Sequence, residues 1–589
     1  MVLYTIGMET YKIFKYTDNL LDAYKEPTER VPGLVRNPKE VIRTVEFYTS
    51  SQYMSGNRDA LGREKPFYNV CNYRVTVAKT ATDLDVKDIR FEPDSLKFAT
   101  QTMIINKELF KYLKETNFSL TLNEIGLTRP KYGGVLIKKN KVKGKLDIGV
   151  VDWTNVEFDP SDVIGGAIIE TFYLQPSELA AKSDWYNVQE VLEAHSKANK
   201  DKPAKIEIKE ISGEFPDSMY PDNEDNSSYM DNGEYKRMCF YIACIGKKKY
   251  LLYYEYENES RYKYLPWESV GSGLGRGVVE DGFESQVWQN DAMISMKNAM
   301  ELSGKVILST DSNKVSGNAI TGVDNGHIFQ LEPGRSVTSL NLSASSLPQF
   351  QNIIELWDSQ YNKVASTFDA NTGEAPTAGT PYSQTALLNQ VANSPFEYRR
   401  EEYGIFLNEV LNEWIMPEIK KRIKKAHTLI SDYTDEELDM IDEAIANTKS
   451  NEVIFNQIMQ LDVTDPNAKP PTPEMQANMT SDIKNQLKKS GKKREIVIPE
   501  GFLDVEGNIT ANITGELKNK AAILQSMDSI FKTVVSTFNP NTGQYGALQD
   551  PVLSKIFGQI VEMSGAPISS TQFRPTQGAD LSAVQPQMA

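Results

Sequence analysis

Tyr264–Gly304 reads YLPWESVGSGLGRGVVEDGFESQVWQNDAMISMKNAMELSG. Its opening residues form a strand pattern that ends at Pro266, and glycines at 271, 273, 275 and 277 then predict a tight, adjustable bend. A helix of about seven turns follows, carrying Gln286 and Asn290 one turn apart. Gly304 stops it, and Lys305-Val306-Ile307-Leu308 begins a strand at once. The glycines invite a nucleotide-binding reading, but a phosphate cradle needs free amides and no competing negative charge. Glu280, Asp281 and Glu284 already complement the helix dipole, and no Lys-Ser or Lys-Thr follows as a P-loop requires. Met293, Met296 and Met300 read as packing on a surface that shifts.

At 589 residues, 40% of them hydrophobic and 10% aromatic, the chain is long enough for several folded domains. It has no apolar run long enough to span a bilayer, and the start MVLYTIGMETYKIF lacks the basic region of a signal peptide. Cys71, Cys239 and Cys244 are too sparse for a disulfide framework, and His195, His327 and His427 share no motif. With 64 basic and 80 acidic residues the net charge is −16, which excludes a protein gripping nucleic acid over a broad basic surface. It leaves open one that surrounds a duplex and lets it slide. No catalytic triad or paired-carboxylate spacing is identifiable, and no cofactor is expected.

On the N-terminal side, residues 1–37 read as an extended arm and Pro38 to about Ser55 as a helix with Val41, Val45, Tyr48 and Gln52 on one face. NRDALGREKPFYNVCN reads as a turn and short pairing segment, VAKTATDLD as the lead into an extended piece, Pro93–Asn117 as a helix and NFSLTLNEIGLT as a weaker one. From Lys131 the period changes to a β-meander whose tip carries Lys138, Lys139, Lys141, Lys143 and Lys145. That tip is either a solvated hairpin end or a contact for DNA or an acidic neighbour. Ser177 is the expected cap of a helix running to about Lys200, and three further strands surround an acidic insertion, DSMYPDNEDNSSYMDNGE.

On the C-terminal side, residues 305–346 read as short strands and turns, and Pro348 to about Phe368 as a helix with Phe350, Ile353, Ile354, Trp357, Tyr361 and Val364. DANTGEAPTAGTPYSQT then separates it from a long helix, Ser383 to about Lys425, which Pro395 should kink and Pro417 disturb. Two helices (Asp435–Thr448 and onward to Gln460), a proline-rich connector, a basic cluster (Lys488, Lys489, Lys492, Lys493, Arg494), strands within 496–514, helices at Gly515–Phe538 and Asp550–Met563, and a polar tail complete the pattern.

This order of elements resembles the portal proteins, or head-to-tail connectors, of tailed double-stranded DNA bacteriophages, and is most similar to the large portals of short-tailed phages. The pieces that match are the YLPWE strand, the glycine-rich turn, the D-x4-Q-x3-N helix, the KVIL strand with its small β module, the helix ending STFDANTGEAP and the Ser-Gln-Thr-Ala-Leu helix start. The resemblance spans roughly residues 38–565.

The resemblance implies an α+β portal fold assembled as a ring, usually a dodecamer, at one capsid vertex of the virion. After the arm, 38–270 would be the wing, 271–304 a stem helix, 305–346 the clip, 347–368 the second stem helix and 369–385 the tunnel loop. Residues 386–430 would form a long wing helix, 431–514 the rest of the wing, 515–565 the crown and 566–589 a disordered tail. Glu280, Glu284, Gln286, Asn290 and Lys297 would line the channel, and Asp369, Asn371, Glu374, Pro376, Thr380 and Tyr382 would bring the tunnel loop to the DNA. The lysines at 138–143 and the 488–494 cluster are the candidate DNA or capsid contacts. Implied partners are further copies of the chain, the major capsid protein, the packaging terminase, the tail adaptor and DNA passing without sequence recognition; no membrane partner is implied. The chain itself would not be an enzyme. A nucleotide-dependent enzyme built on the glycine turn, or another virion structural protein such as a tail or scaffold component, are the alternatives.

Overall fold

The computed structural model describes residues 6–26, 28–31, 34–59, 62–94, 98–142, 145–199, 204–221, 234–271, 273–303, 307–310, 333–334, 337–340, 347–367, 382–425, 435–459, 472–489, 505–511, 538–539 and 544–545. The polar tail and most of the segments expected as helices at 515–565, as clip (305–346) and as tunnel loop (369–385) lie outside these residues. The chain divides into two compact units, Met1–Asp83 with Thr116–Tyr403, and Leu84–Glu115 with Gly404–Ala589. Helices and antiparallel sheets are mixed in the α+β manner.

The chain opens with α1 (Ile6–Ala23), a correction to the extended arm. Ile13 and Thr17 are buried one turn apart, and Tyr24 just beyond continues the stripe that seats the helix on a sheet. After β1 (Thr28–Val31) and β2 (Leu34–Arg36), α2 (Pro38–Thr49) begins where Asn37 accepts a bond from the Lys39 amide and Pro38 takes the first turn. α3 (Val70–Ala81) begins inside the expected pairing segment and fills the stretch expected to lead into an extended piece. Its β-branched residues favour strand, but Asn69 caps it and burial of Val70, Cys71, Val75 and Ala78 decides the outcome. β3 (Ile89–Pro93), α4 (Ala99–Glu115) and α5 (Phe118–Tyr132) follow; α5 ends at Gly133, whose φ of 90° suits glycine.

β4 (Gly134–Val142) and β5 (Lys145–Val150) are the expected meander, followed by β6 (Val156–Glu157) and β7 (Ile168–Leu174). The single helix expected over 177–200 is two, α6 (Pro176–Ala180) and α7 (Val188–Asn199), and Gln175 with Glu178 forms the capping box, not Ser177. β8 (Ile206–Pro216), β9 (Tyr235–Ile245), β10 (Lys248–Tyr256) and β11 (Tyr262–Pro266) lead to the bend and to α8 (Val278–Ser303). β12 (Ile307–Thr310) pairs antiparallel with β13 (Val337–Leu340) before α9 (Leu347–Val364).

In the first unit a five-stranded antiparallel sheet runs β10-β9-β8-β7-β6 and a three-stranded one runs β11-β4-β5. α1 covers one face of the larger sheet. A large apolar cluster lies between the smaller sheet and α2, α3, α8 and α9, with Trp153, Tyr262, Trp267, Val279 and Tyr361 among its members.

The long helix expected from Ser383 is α10 (Tyr382–Val410), which runs through Pro395. A π-turn at Leu411–Ile415 joins it to α11 (Met416–Lys425). Pro417 explains the π-turn, because it has no N–H for the Glu413 carbonyl and its ring crowds that group. α12 (Asp435–Met459) is one helix where two were expected, and α13 (Pro473–Lys489) returns antiparallel to it, with Glu443 bound to Lys484 at 2.9 Å. β14 (Gly507–Ala511) pairs antiparallel with β3, and Asn408 and Asn412 satisfy its Ala511 and Ile509 amides, each at 2.7 Å. β15 (Phe538–Asn539) and β16 (Gln544–Tyr545) form a short ribbon. Among the described residues no helix is long and apolar enough to cross a membrane.

Candidate functional site

The bend before α8 is locked, not adjustable. A β-carbon on Gly275 would lie 2.2 Å from the Gly133 carbonyl oxygen, and one on Gly277 would lie 2.5 Å from the Gly133 nitrogen. Only glycine lets the two backbones meet so closely. Three of its amides are already used: Gly273 donates to Ser161 O at 3.0 Å, Gly275 to the Tyr264 hydroxyl at 2.8 Å and Arg276 to Glu268 O at 2.9 Å. Arg36 reaches across from β2, pairing its Nη2 with Glu280 at 2.6 Å and with Gly275 O at 2.9 Å, while Nη1 holds Leu274 O. Arg129 binds Pro266 O at 2.9 Å, Arg399 O at 2.6 Å and Glu402 at 2.7 Å, and Arg399 holds Trp267 O and Glu268. Burial pulls the Arg129 guanidinium down to about 10. Each of these arginines is bound to a carboxylate and to bend or helix carbonyls. The bend therefore fixes a helix direction, and its committed amides and the carboxylates of Glu280 and Asp281 make it a poor phosphate cradle among the described residues.

From it α8 rises and α9 returns antiparallel. The Tyr361 hydroxyl donates to Val278 O at 3.0 Å, the Ser285 hydroxyl donates to Trp357 O at 2.7 Å, and Trp288 stacks on Trp357 with centroids 5.8 Å apart and planes 6° from parallel. Where α9 ends, Ser366 takes a left-handed φ of 56°.

The five residues expected to line a channel separate into two groups. Gln286 and Asn290 are buried, at 0% and 1% exposure, so neither lines an open surface. Gln286 accepts from the Cys71 amide at 2.8 Å and donates to Tyr48 O at 3.1 Å. Asn290 accepts from the Tyr68 amide at 2.6 Å and donates to Tyr68 O at 3.1 Å. These amides bind the ends of α2 and α3 to α8 by meeting backbone groups that burial would otherwise leave unpaired. Glu280 is taken by Arg36. Glu284 is exposed, and half-exposed Lys297 donates to Glu64 O at 3.0 Å. Burial raises the Asp281 carboxyl to about 6 despite Arg276 at 3.2 Å.

Several large apolar side chains of this helical pair are open to solvent. Trp288 is 54% exposed and Leu356 58%, with Met300, Ile353 and Val364 also exposed. Along α9 only Tyr361 is fully buried, although its sequence carries an apolar face.

Lys138 is a correction to both readings of the basic tip: it is buried, donating to Glu170 at 2.7 Å and to Glu210. Lys139 pairs with Glu259 at 3.4 Å, while the side chains of Lys141 and Lys143 lie outside the described residues. Lys488 pairs with Asp439 at 3.1 Å; the Lys489 side chain and all of Lys492, Lys493 and Arg494 lie outside the described residues. So do Asp369, Asn371, Glu374, Pro376, Thr380 and the Tyr382 side chain. The sequence reading missed Arg36, Arg129 and Arg399 altogether, and isolated arginines carry no local signal of the carbonyls they hold.

No family model matches the chain, and no curated protein does.

Proposed function

We propose that this chain is the subunit of a portal ring, the channel at one capsid vertex through which a double-stranded DNA genome is packaged and ejected. The observation that carries the reading is the α8–α9 hairpin. It is two long antiparallel helices held at a locked bend, followed at the far end of α8 by the two-stranded β12–β13 ribbon, and several of its large apolar side chains are open to solvent. An apolar face that a single subunit leaves in water is most simply covered by the next copy in a closed ring. The resemblance in element order supplies the assignment: hairpin as stem, β12–β13 region as clip and terminase or tail-adaptor dock, 369–385 as tunnel loop, and the α+β block as wing.

On this reading the chain does no bond chemistry; the terminase hydrolyses ATP, and the ring provides a seat and a bore. Twelve copies would carry about −190 formal charges, which favours sliding of the duplex over gripping it. Asp369 and Glu374, with no lysine or arginine in 369–385, suit a loop that closes sterically around DNA. The virion vertex is the implied location, after assembly in the host cytoplasm. Negative-stain imaging with native mass spectrometry of the purified chain tests the proposal. Toothed rings with a central hole are expected, and a monomer, a nucleotide-hydrolysing monomer or fibres would overturn it.

A further inference from the structure

The first unit contains a seam made of charge. The five-stranded sheet packs its apolar residues into two clusters of its own, one under α1 and one under α6 and α7. The three-stranded sheet contributes to the large cluster, which Val156 of β6 and Ile168 at the start of β7 also join.

Between the sheets lies a polar network. From the smaller sheet, Lys138 on β4 binds Glu170 of β7 and Glu210 of β8. Arg261, next to β11, binds Glu210 at 3.1 Å, Glu255 of β10 at 2.7 Å and Glu257. The Tyr262 hydroxyl donates to Glu170 at 3.1 Å. The Glu210 and Glu257 carboxylates are almost fully buried, at 2% and 5% exposure, and Ser212 donates to Glu257 at 2.6 Å. The larger sheet, with Glu257 just beyond it, thus offers four carboxylates to Lys138 and Arg261.

A junction of this kind differs from an apolar one. Removing one partner strands a buried charge, whereas removing all of them together can be neutral. Apolar packing has no such dependence on charge balance, so opening the seam costs the Lys138 and Arg261 pairs, the short β6–β7 pairing and the Ile168 contact, while the clusters under α1 and under α6 and α7 stay intact.

We propose that β8–β10, with β7, α1, α6 and α7, form a rigid flap that the Lys138–Arg261 seam clamps to the rest of the first unit, and that swings as one body when the clamp fails. Besides the 24–37 link that leads from α1 to α2, it is joined to the remainder by the 158–167 and 257–261 connectors. The inference holds whether or not the chain builds a ring.

Limited trypsin digestion of the full chain tests it, because cleavage after Arg261 requires an open seam. Lys138→Met should speed that cut at least about tenfold while both fragments keep their circular dichroism, and Lys138→Met with Glu170→Gln and Glu210→Gln should return it to within a few-fold of the unsubstituted chain. Equal rates in all three proteins, or a triple variant as sensitive as the single one, would overturn the proposal. A second measurement covers a variant that does not fold. In native-state hydrogen exchange of the unsubstituted chain, the amides of the two connectors should open together and at least about tenfold faster than those of α8; a common rate for both would also overturn it.

Discussion

The ring of Tyr361 occupies the space a β-carbon on Gly282 would need, its nearest ring carbon lying 1.8 Å from that position. The same side chain donates to Val278 O, so it fixes both the spacing and the register of α8 and α9. Gly282→Ala forces the helices apart. Overpacking of this kind costs about 1–3 kcal/mol, which should lower the urea midpoint with little change in slope. Tyr361→Phe keeps the ring and loses one buried bond, and should cost about 1 kcal/mol in the same titration.

Asn290 gives a second test. Asn290→Asp keeps the shape but cannot donate, and it sets a carboxylate against the carbonyls of Tyr68 and Gln286. A loss of about 2–4 kcal/mol is expected by thermal melting. Glu284→Ala, one exposed position on the same helix, should change stability by no more than about 0.5 kcal/mol. Equal effects at the two sites would refute the internal role assigned to Asn290.

Asp281 makes stability depend on pH. Its carboxyl is raised from 3.8 to about 6 by burial, so between those values the folded chain holds a proton that the unfolded chain has released. The stabilisation is complete below about pH 4 and is lost as pH rises through about 6. Asp281→Asn should remove this slope and leave the protein about 1–2 kcal/mol more stable than the unsubstituted chain at pH 7.5, after allowance for solvent screening. Denaturant midpoints measured at pH 5 and pH 7.5 would check both sign and size.

The exposed apolar side chains of α8 and α9 separate folding from assembly. Leu356→Asp sits on exposed surface and should leave the thermal midpoint nearly unchanged, because nothing within the chain buries Leu356 fully. On the portal reading the same substitution should abolish rings, seen by light scattering as subunits that no longer associate. Unchanged rings would mean that another face carries assembly.

The organising stretch was legible because glycine, acidic first-turn residues and a terminal Gly304 are local signals, and the helix they predict is α8. The roles of Gln286 and Asn290 were not legible. Two amides one turn apart look like a polar face, and what buries them is backbone more than 200 residues away in sequence. The lysines of the β4 hairpin misled for the same reason, since the carboxylates that draw Lys138 inward lie on other strands. α1 was missed because its buried stripe mixes Ile13 with Thr17, and α3 because its valines and threonines favour strand until tertiary burial overrides them.

The pairing of β14 with β3 has a consequence for synthesis. Ile89–Pro93 finds its partner only when Gly507–Ala511 has been made. At ribosomal rates of about 5–20 residues per second, that edge waits roughly 20–80 s for its ladder. During that interval Ile89 and Phe91, both buried in the finished protein, have no strand to pair with, and chaperone occupancy of the nascent chain should peak there.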